Sequence, residues 1–430
     1  MDEKHNYPLD KKINPRIIIH GGAGNLTKES LPRERYDAYR ASLRHILATS
    51  AEFLSQPGST ALDVATFAVS LLEDDTLYNS GRGAVFTREG KNELECSIMI
   101  SNGYQKRGVG CSMLQHVKNP IKLARELLKR GEEDGGDGSQ DHCQYTGTFV
   151  EGLAKKWGLE TVEPDYFFTQ QRWDEHIQGL EEEEKQRRAG RPVDEMSDWE
   201  KANYIPLGTC GAVVLDSFGT ICVATSTGGL TNKVPGRVGD TPTLGAGFWA
   251  EEWYQEPLPR SQAQERHLSP LDQLSRGSIG SFLYDCLPSI PGLSSAGVDP
   301  SKSLSPSYRK GPIRHVVGMS GTGNGDSFLR MNACRTAAAK SRFAIAPLAD
   351  TVTWMAGHHG ELQKSAGDRW GVTHEGSGGI IGIELVEDKG TVVWDFNCGG
   401  MFRAWVDDDG EHQCLIFRGE YDKGPDAMMR

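Results

Sequence analysis

The stretch GTCGAVVLDSFGTICVATSTGG, residues 208–229, limits what this chain can fold into more than any other. Two apolar runs face each other across Asp216-Ser217-Phe218-Gly219, the pattern of a β-hairpin. With Ser217-Phe218-Gly219 as a three-residue loop and Gly219 left-handed, Asp216 pairs with Thr220 and Thr209 falls opposite Thr227. A two-residue loop would move that partner to Ser226. Either register gathers hydroxyls at the open end of the hairpin. Threonine and serine are common at strand ends, so this convergence alone defines no site. Cys210 offers a thiol beside Thr209, but strand alternation turns it to the opposite face, toward core packing. Thr209 itself is a poor nucleophile while it stands in mid-chain.

The surrounding sequence supplies partners for the hairpin. PRIIIHGGAG (15–24) reads as a buried strand ending in a glycine turn. Residues 34–55 have helix-forming composition, and Ser59 or Thr60 caps a second helix through Leu72. Residues 79–100 read as two strands joined at Glu89-Gly90. NPIKLARELLKRG (119–131) has proline at a helix start and glycine at its end, and 146–158 is a further short helix. HVVGMSGTGNGDSFLRMNACRTAAAKSRFA is a strand, a glycine loop and a helix; GGIIGIELVE and TVVWDFN are late strands flanking a turn at Asp388-Lys389-Gly390. Strand clusters alternating with helix pairs suggest an α+β fold, a four-layer αββα sandwich of two stacked, mainly antiparallel sheets flanked by helices. Two interruptions break the pattern: an acidic linker at about 180–207, and a Ser/Pro/Gly-rich segment at about 255–313.

Composition narrows the function classes. The 430 residues suffice for a large core, and 37% hydrophobic with 25% charged residues describes a soluble globular chain. No run approaches the roughly 20 apolar residues of a membrane span. MDEKHNYPLDKKINP has no apolar secretory segment. Nine cysteines, scattered singly, give neither a disulfide framework nor a CxxC metal pattern, so a reducing, cytoplasmic setting is expected. A formal net charge of −12 argues against nucleic acid as a partner.

Downstream of the hairpin, Arg237 and Asp240 stand three residues apart in a Pro/Gly loop. A guanidinium fork suits a carboxylate and an aspartate suits an ammonium, so the pair could grip the head of an amino acid; a salt bridge between the two is the plainer alternative. TGNGD (322–326) is a glycine turn between strand and helix, suited to an anion or an oxyanion. It lacks a P-loop lysine, and HGGAG is no GxGxxG, which weakens a nucleotide reading. His358, His359 and Glu361 match no standard metal spacing.

Taken together, these segments resemble the plant-type asparaginases, the isoaspartyl peptidase/L-asparaginases among the N-terminal nucleophile hydrolases. The resemblance is carried by GTCGAVVLDSFGTICVATSTGGLTNKVPGRVGD (208–240), followed by GAGFWA. IIIHGGAG, YNSGRGAVFTREGKNELECSIM, NPIKLAREL, DYFFTQQRW, TGNGDSFLRMNACR, GGIIGIEL and FNCGGMFR support it, in the family's order. It implies an αββα precursor that cuts itself at Gly208–Thr209 into an α subunit, 1–208, and a β subunit, 209–430. The cut turns the Thr209 amide into an α-amine of reference pKa about 8, able to act as base for its own hydroxyl.

The resemblance further implies Thr209 as nucleophile, with Thr227 orienting it and Asn79 behind it. Thr322 and the amide of Gly323 would form the oxyanion hole. Arg237 would bind the substrate α-carboxylate and Asp240, with the backbone of Gly325, its α-ammonium. A structural sodium ion would sit on backbone carbonyls of Leu72, Glu73, Asp75, Tyr78, Ser80 and Arg82, and the α/β pairs would dimerise. No cofactor is required. The expected substrate is L-asparagine or a β-aspartyl dipeptide.

The sequence departs from the family in three places: an insertion over about 251–313, Glu95-Cys96 where the family has aspartate-alanine, and Cys398-Gly399 near the end. The insertion motivates one alternative, a threonine aspartase-like endopeptidase. A second is an uncleaved, non-enzymatic amino-acid-binding protein. A glycosylasparaginase is disfavoured because nothing marks the chain as secreted.

Overall fold

The computed structural model describes residues 13–193, 195, 208–256 and 311–425. Two compact units are present, Met1–Trp253 with His315–Arg430, and Tyr254–Arg314. The second unit lies almost wholly outside the described residues, as does most of the expected insertion. The first unit carries the architecture below.

Strand β1 (Arg16–Gly24) is central to the larger sheet. It pairs antiparallel on one side with β5 (Cys210–Leu215) and on the other with β11 (Gly400–Val406), itself bordered by β12 (His412–Leu415). β5 continues into β6 (Ile221–Thr227), β2 (Leu94–Ile100), β3 (Gly108–Leu114) and the short parallel β4 (Gln144–Thr146). The smaller sheet runs β10 (Lys389–Phe396), β9 (Gly378–Val386), β8 (Ile313–Gly323), β7 (Phe248–Gln255).

Alternation along each strand produces the four layers. Ile17, Ile19, Ala212, Val214, Cys222 and Ala224 join one core cluster with helices α1 (Arg33–Ser55), α2 (Ala61–Asp74), α3 (Pro120–Arg130) and α4 (Gly147–Lys156). Their sequence neighbours Ile18, Val213, Leu215, Ile221 and Val223 join a second cluster with the smaller sheet. That sheet is covered by α7 (Ala333–Ala344) and α8 (Leu348–Ala356). α5 (Gln170–Arg188) and α6 (Gly325–Met331) complete the elements near the site. The expected sandwich of two stacked sheets between helices is the fold observed.

The hairpin adopts the three-residue loop. Val213 pairs with Val223 and Cys210 with Ser226, Gly219 has φ +81°, and Asp216 N–H donates to the Thr220 carbonyl at 3.0 Å. Thr60 caps α2 by accepting from the Asp63 N–H.

Three expectations need correction. Residues 79–93 are turns rather than a first strand, because Asn79 bonds back to Val85 and Gly81, Gly83 and Gly90 take positive φ; only β2 forms. The acidic stretch begins as helix, not linker: α5 extends to Arg188, supported by the i,i+4 pairs Glu183–Arg187 and Glu184–Arg188. Residues 194 and 196–207 lie outside the described residues. The late turn is Glu387-Asp388, since Val386 pairs with Lys389. Strand β11, which flanks β1, and β12 beyond it have no counterpart among the expected strands.

Candidate active site

Thr209 immediately precedes β5, two positions from Gly211 and four from Val213. Alternation therefore sets it on the face between the sheets, while Cys210 turns to the helix-side core, where burial pushes its thiol well up. Thr209 is buried, 5% exposed, and its Oγ1 lies 2.7 Å from Thr241 Oγ1. Thr241 is in turn fixed by its carbonyl, which accepts from Thr225 Oγ1 at 3.5 Å. Thr227 faces the same cavity as Thr209, but its Oγ1 accepts the Gly229 N–H at 3.0 Å. In the continuous chain the hydroxyl partner of Thr209 is Thr241, not the expected Thr227.

The peptide before Thr209 threads a tight gap. A Cβ on Gly208 would collide with Thr322 Oγ1 and come within 3.2 Å of Gly323 N and 3.3 Å of Ala23 N. Gly22, at φ +121°, leaves room on the other side, where its Cβ would stand 2.7 Å from Gly208 N. Gly22, at a β-bulge within β1, and Gly208 thus permit one close approach. Thr322 Oγ1 is buried with no protein partner. Its hydroxyl and the Gly323 N–H, the two expected oxyanion donors, flank Gly208. His20, two residues before Gly22, bonds Ser320 Oγ at 2.7 Å on β8. Burial holds its pKa down to about 3 against the opposing effect of the Thr209 backbone, so the imidazole is neutral.

A cavity of about 30 Å³ opens beside Thr209, with Arg237, Asp240, Gly323 and Gly325 in its wall. The plainer alternative of an Arg237–Asp240 salt bridge is not what forms. Arg237 Nη2 pairs with Asp326 Oδ2 at 3.2 Å on α6, and Asp240 Oδ2 is buried without a protein partner. Burial raises the Asp240 carboxyl to about 7, with Arg237 opposing and Glu95 and Asp326 reinforcing. Gly325 must be small here: its Cβ would stand 2.6 Å from Asp240 Oδ1 and 3.0 Å from Arg237 Nη2.

Asn79 braces the turn after β6. Its Nδ2 donates to the Gly229 carbonyl at 2.7 Å, its Oδ1 accepts the Val85 N–H, and its carbonyl accepts the Gly228 N–H. In the loop before it, the Glu73 carbonyl accepts the Arg82 N–H and the Asp75 carbonyl accepts the Tyr78 N–H. The Thr76 and Tyr78 carbonyls converge beside Gly83, each 2.7 Å from where its Cβ would be. Neutral carbonyl oxygens are the donor type a hard cation of low charge takes, and those of Glu73 and Asp75 already accept backbone N–H groups here.

Two residues of the site were not read as such in the sequence. Thr241 directly follows Asp240, and its hydroxyl adjacent to the motif is the signal that was available. Glu95, a departure from the family pattern in sequence, lines the small cavity with Thr209. A larger cleft of about 270 Å³ shares Gly208, Gly229, Leu230 and Gly323 with that cavity and extends past Glu183 of α5 and His374.

Two stacked sheets between helix layers, with a threonine at the inter-sheet mouth, make this the fold of the N-terminal nucleophile hydrolases. A family model described as asparaginase matches residues 13–254. A putative isoaspartyl peptidase/L-asparaginase of Dictyostelium discoideum is 38% identical over 256 residues, 55% of this chain and 70% of the relative. The isoaspartyl peptidase of Escherichia coli (strain K12) is 37% identical over 235 residues, 54% of this chain and 67% of that protein. A probable isoaspartyl peptidase/L-asparaginase 2 of Arabidopsis thaliana is 27% identical over 419 residues, spanning 93% of this chain and 98% of its own length. The chain belongs to the asparaginase family. Among the described residues, no helix is long and apolar enough to cross a membrane.

Proposed function

We propose that this protein is a threonine amidohydrolase that hydrolyses L-asparagine and β-aspartyl dipeptides after cutting its own Gly208–Thr209 bond. The observation that carries this reading is the setting of Gly208, wedged against the Thr322 hydroxyl and the Gly323 N–H immediately before a buried threonine hydroxyl.

In self-cleavage, Thr209 Oγ attacks the Gly208 carbonyl carbon and its proton passes to the departing nitrogen. Thr322 and Gly323 donate to the oxyanion, the C–N bond breaks, and an ester links Gly208 to Thr209 Oγ. Water hydrolyses the ester, leaving a carboxylate on Gly208 and a free amine on Thr209. In turnover that amine takes the proton from Oγ, which attacks the side-chain carbonyl of the substrate. The proton leaves with ammonia, or with the amine of the second residue of a dipeptide. Water then cleaves the acyl-enzyme ester to aspartate. Arg237 holds the α-carboxylate and Asp240, with Gly325, the α-ammonium, while Thr227 and Thr241 orient the nucleophile. All of this chemistry comes from the chain's own groups. A sodium ion on the 72–82 carbonyls would brace Asn79 and take no part in bond making.

The names of the relatives support the substrate class, and a head-group cavity of about 30 Å³ suits a small amino acid better than a folded polypeptide. The neighbouring cleft keeps the endopeptidase reading in play. Assays on asparagine, a β-aspartyl dipeptide and an aspartate-containing protein separate the two. Ammonia from asparagine, lost in Thr209→Ala, supports the amidohydrolase; cleavage of the protein alone supports the endopeptidase. Ligand binding with no product and one band on a denaturing gel would mark a binding protein.

A further inference from the structure

β2 carries a carboxylate in the same cross-strand row as the proposed nucleophile. Glu95 pairs directly with Thr227, and the hairpin register carries that row on to Thr209. All three side chains share the inter-sheet face, as Met99 and Val223 do farther along their strands. Adjacent strands lie about 4.8 Å apart, so the Glu95 backbone stands roughly 10 Å from that of Thr209, a span a glutamate side chain and an amino-acid head can share.

Glu95 is 1% exposed, and one of its oxygens is committed: Oε1 accepts the Gly239 N–H at 2.9 Å. The other, Oε2, has no protein partner. It converges with Arg237 Nη1 beside Gly239, each 2.9 Å from where a Cβ on that residue would be. Arg237 Nη2 and Asp240 Oδ1 converge in the same way beside Gly325. The guanidinium is therefore near both buried carboxylates, yet its ion pair goes to Asp326. Lys233, the other buried cation nearby, donates from Nζ to the Glu93 carbonyl and acts on Glu95 through its charge rather than through a hydrogen bond. Glu95 Oε2 and Asp240 Oδ2 are thus both unsatisfied acceptors around one small cavity, where leaving a carboxylate oxygen bare is costly.

We propose that Glu95 is a second carboxylate of the ammonium subsite, sharing the substrate's α-ammonium with Asp240 and selecting for substrates that carry one. An ammonium has three donors in a compact head and satisfies both oxygens at once. A group with no donors at that position would leave both bare, and an anionic one would repel them. The inference rests on the amino-acid reading of the cavity given above and adds the residue that enforces it.

The test is calorimetric titration of the purified parent protein and Glu95→Gln with L-aspartate and with succinate, which is aspartate without its ammonium. The substituted side-chain amide keeps an oxygen for the Gly239 N–H and removes only the charge. Loss of one charge-assisted hydrogen bond should weaken L-aspartate about tenfold, while succinate binds as before or more tightly. Equal weakening of both ligands, with a lowered melting temperature, would mean that Glu95 only holds the 236–239 loop. Unchanged L-aspartate affinity, or none in the parent, would also overturn the proposal. Should Glu95→Gln fail to fold, Glu95→Asp withdraws the charge by one methylene and must weaken L-aspartate selectively. Calorimetry needs no turnover, so a parent protein that binds L-aspartate but hydrolyses neither asparagine nor β-aspartyl dipeptides sinks the functional reading and leaves this one standing.

Discussion

Asp240 holds an acid whose pKa burial has raised to about 7, although Arg237 pulls the other way. The groups facing it are Arg237, Glu95 and Asp326. Below that pH the carboxyl is protonated and cannot pair with an ammonium; above it the charge is present. The kcat/KM for asparagine should therefore fall as pH drops through about 7, a limb absent from the weak residual activity of Asp240→Asn. Deprotonation of the Thr209 amine, reference pKa about 8, adds a second rise in the same direction. Removing the Thr241 hydroxyl in Thr241→Val deletes the partner of Thr209 Oγ1, a hydrogen bond worth about 1 kcal/mol, and should slow self-cleavage roughly fivefold on a timed gel. Thr209, Arg237, Asp240 and Thr322 were legible because they occupy one ordered motif set. Thr241 was not, since its relevance depends on the loop after Arg237 folding back onto β5, and no local spacing encodes that return. Glu95 lay hidden for a similar reason: only the β2–β6 register reveals that it shares a row with the hairpin hydroxyls.

At the scale of elements, the β-bulge at Gly22, inside β1 rather than in the glycine turn expected at its end, is what admits the proposed scissile peptide. Gly22→Ala would put a methyl 2.7 Å from Gly208 N, at a φ of +121° that alanine rarely takes. Loss of the fitted approach should delay appearance of the two fragments at least tenfold on a timed denaturing gel, a barrier increase of about 1.4 kcal/mol, while far-UV circular dichroism stays native. Rapid cleavage in that variant would show that the approach of Gly22 is incidental. The hairpin was readable from sequence but its register was not fixed there: both faces of both strands are apolar, and the left-handed Gly219 of the three-residue loop decides between Thr227 and Ser226. Residues 79–93 looked like a strand because their apolar residues mimic one. Their backbone instead follows glycine turns and the Asn79 side chain, interactions that leave no periodicity. α5 was misjudged for the converse reason: charge density suggested linker, whereas i,i+4 pairing lets a charged surface segment stay helical.

Over the whole molecule, the larger sheet interleaves the two proposed subunits. β12 and β11 belong to the second, β1 to the first, β5 and β6 to the second, and β2, β3 and β4 to the first. Three hydrogen-bonded ladders therefore cross between fragments: β1–β11, β1–β5 and β2–β6. After cleavage the fragments should co-elute in native size-exclusion chromatography and separate only in denaturant. Light scattering on the same peak tests the expected dimer of pairs. The layered architecture was legible because it follows from alternating strands and helix pairs, whereas the strand order was not, since β11 and β12 reach β1 only through the folded chain. The central claim is that Thr209 becomes a terminus. N-terminal sequencing of the purified protein, run beside Thr209→Ala with an ammonia assay, tests it most directly. The expected result is a fragment beginning at Thr209 that releases ammonia from asparagine, and an intact, inactive Thr209→Ala chain. A single intact chain, with equal activity in both proteins, would contradict it.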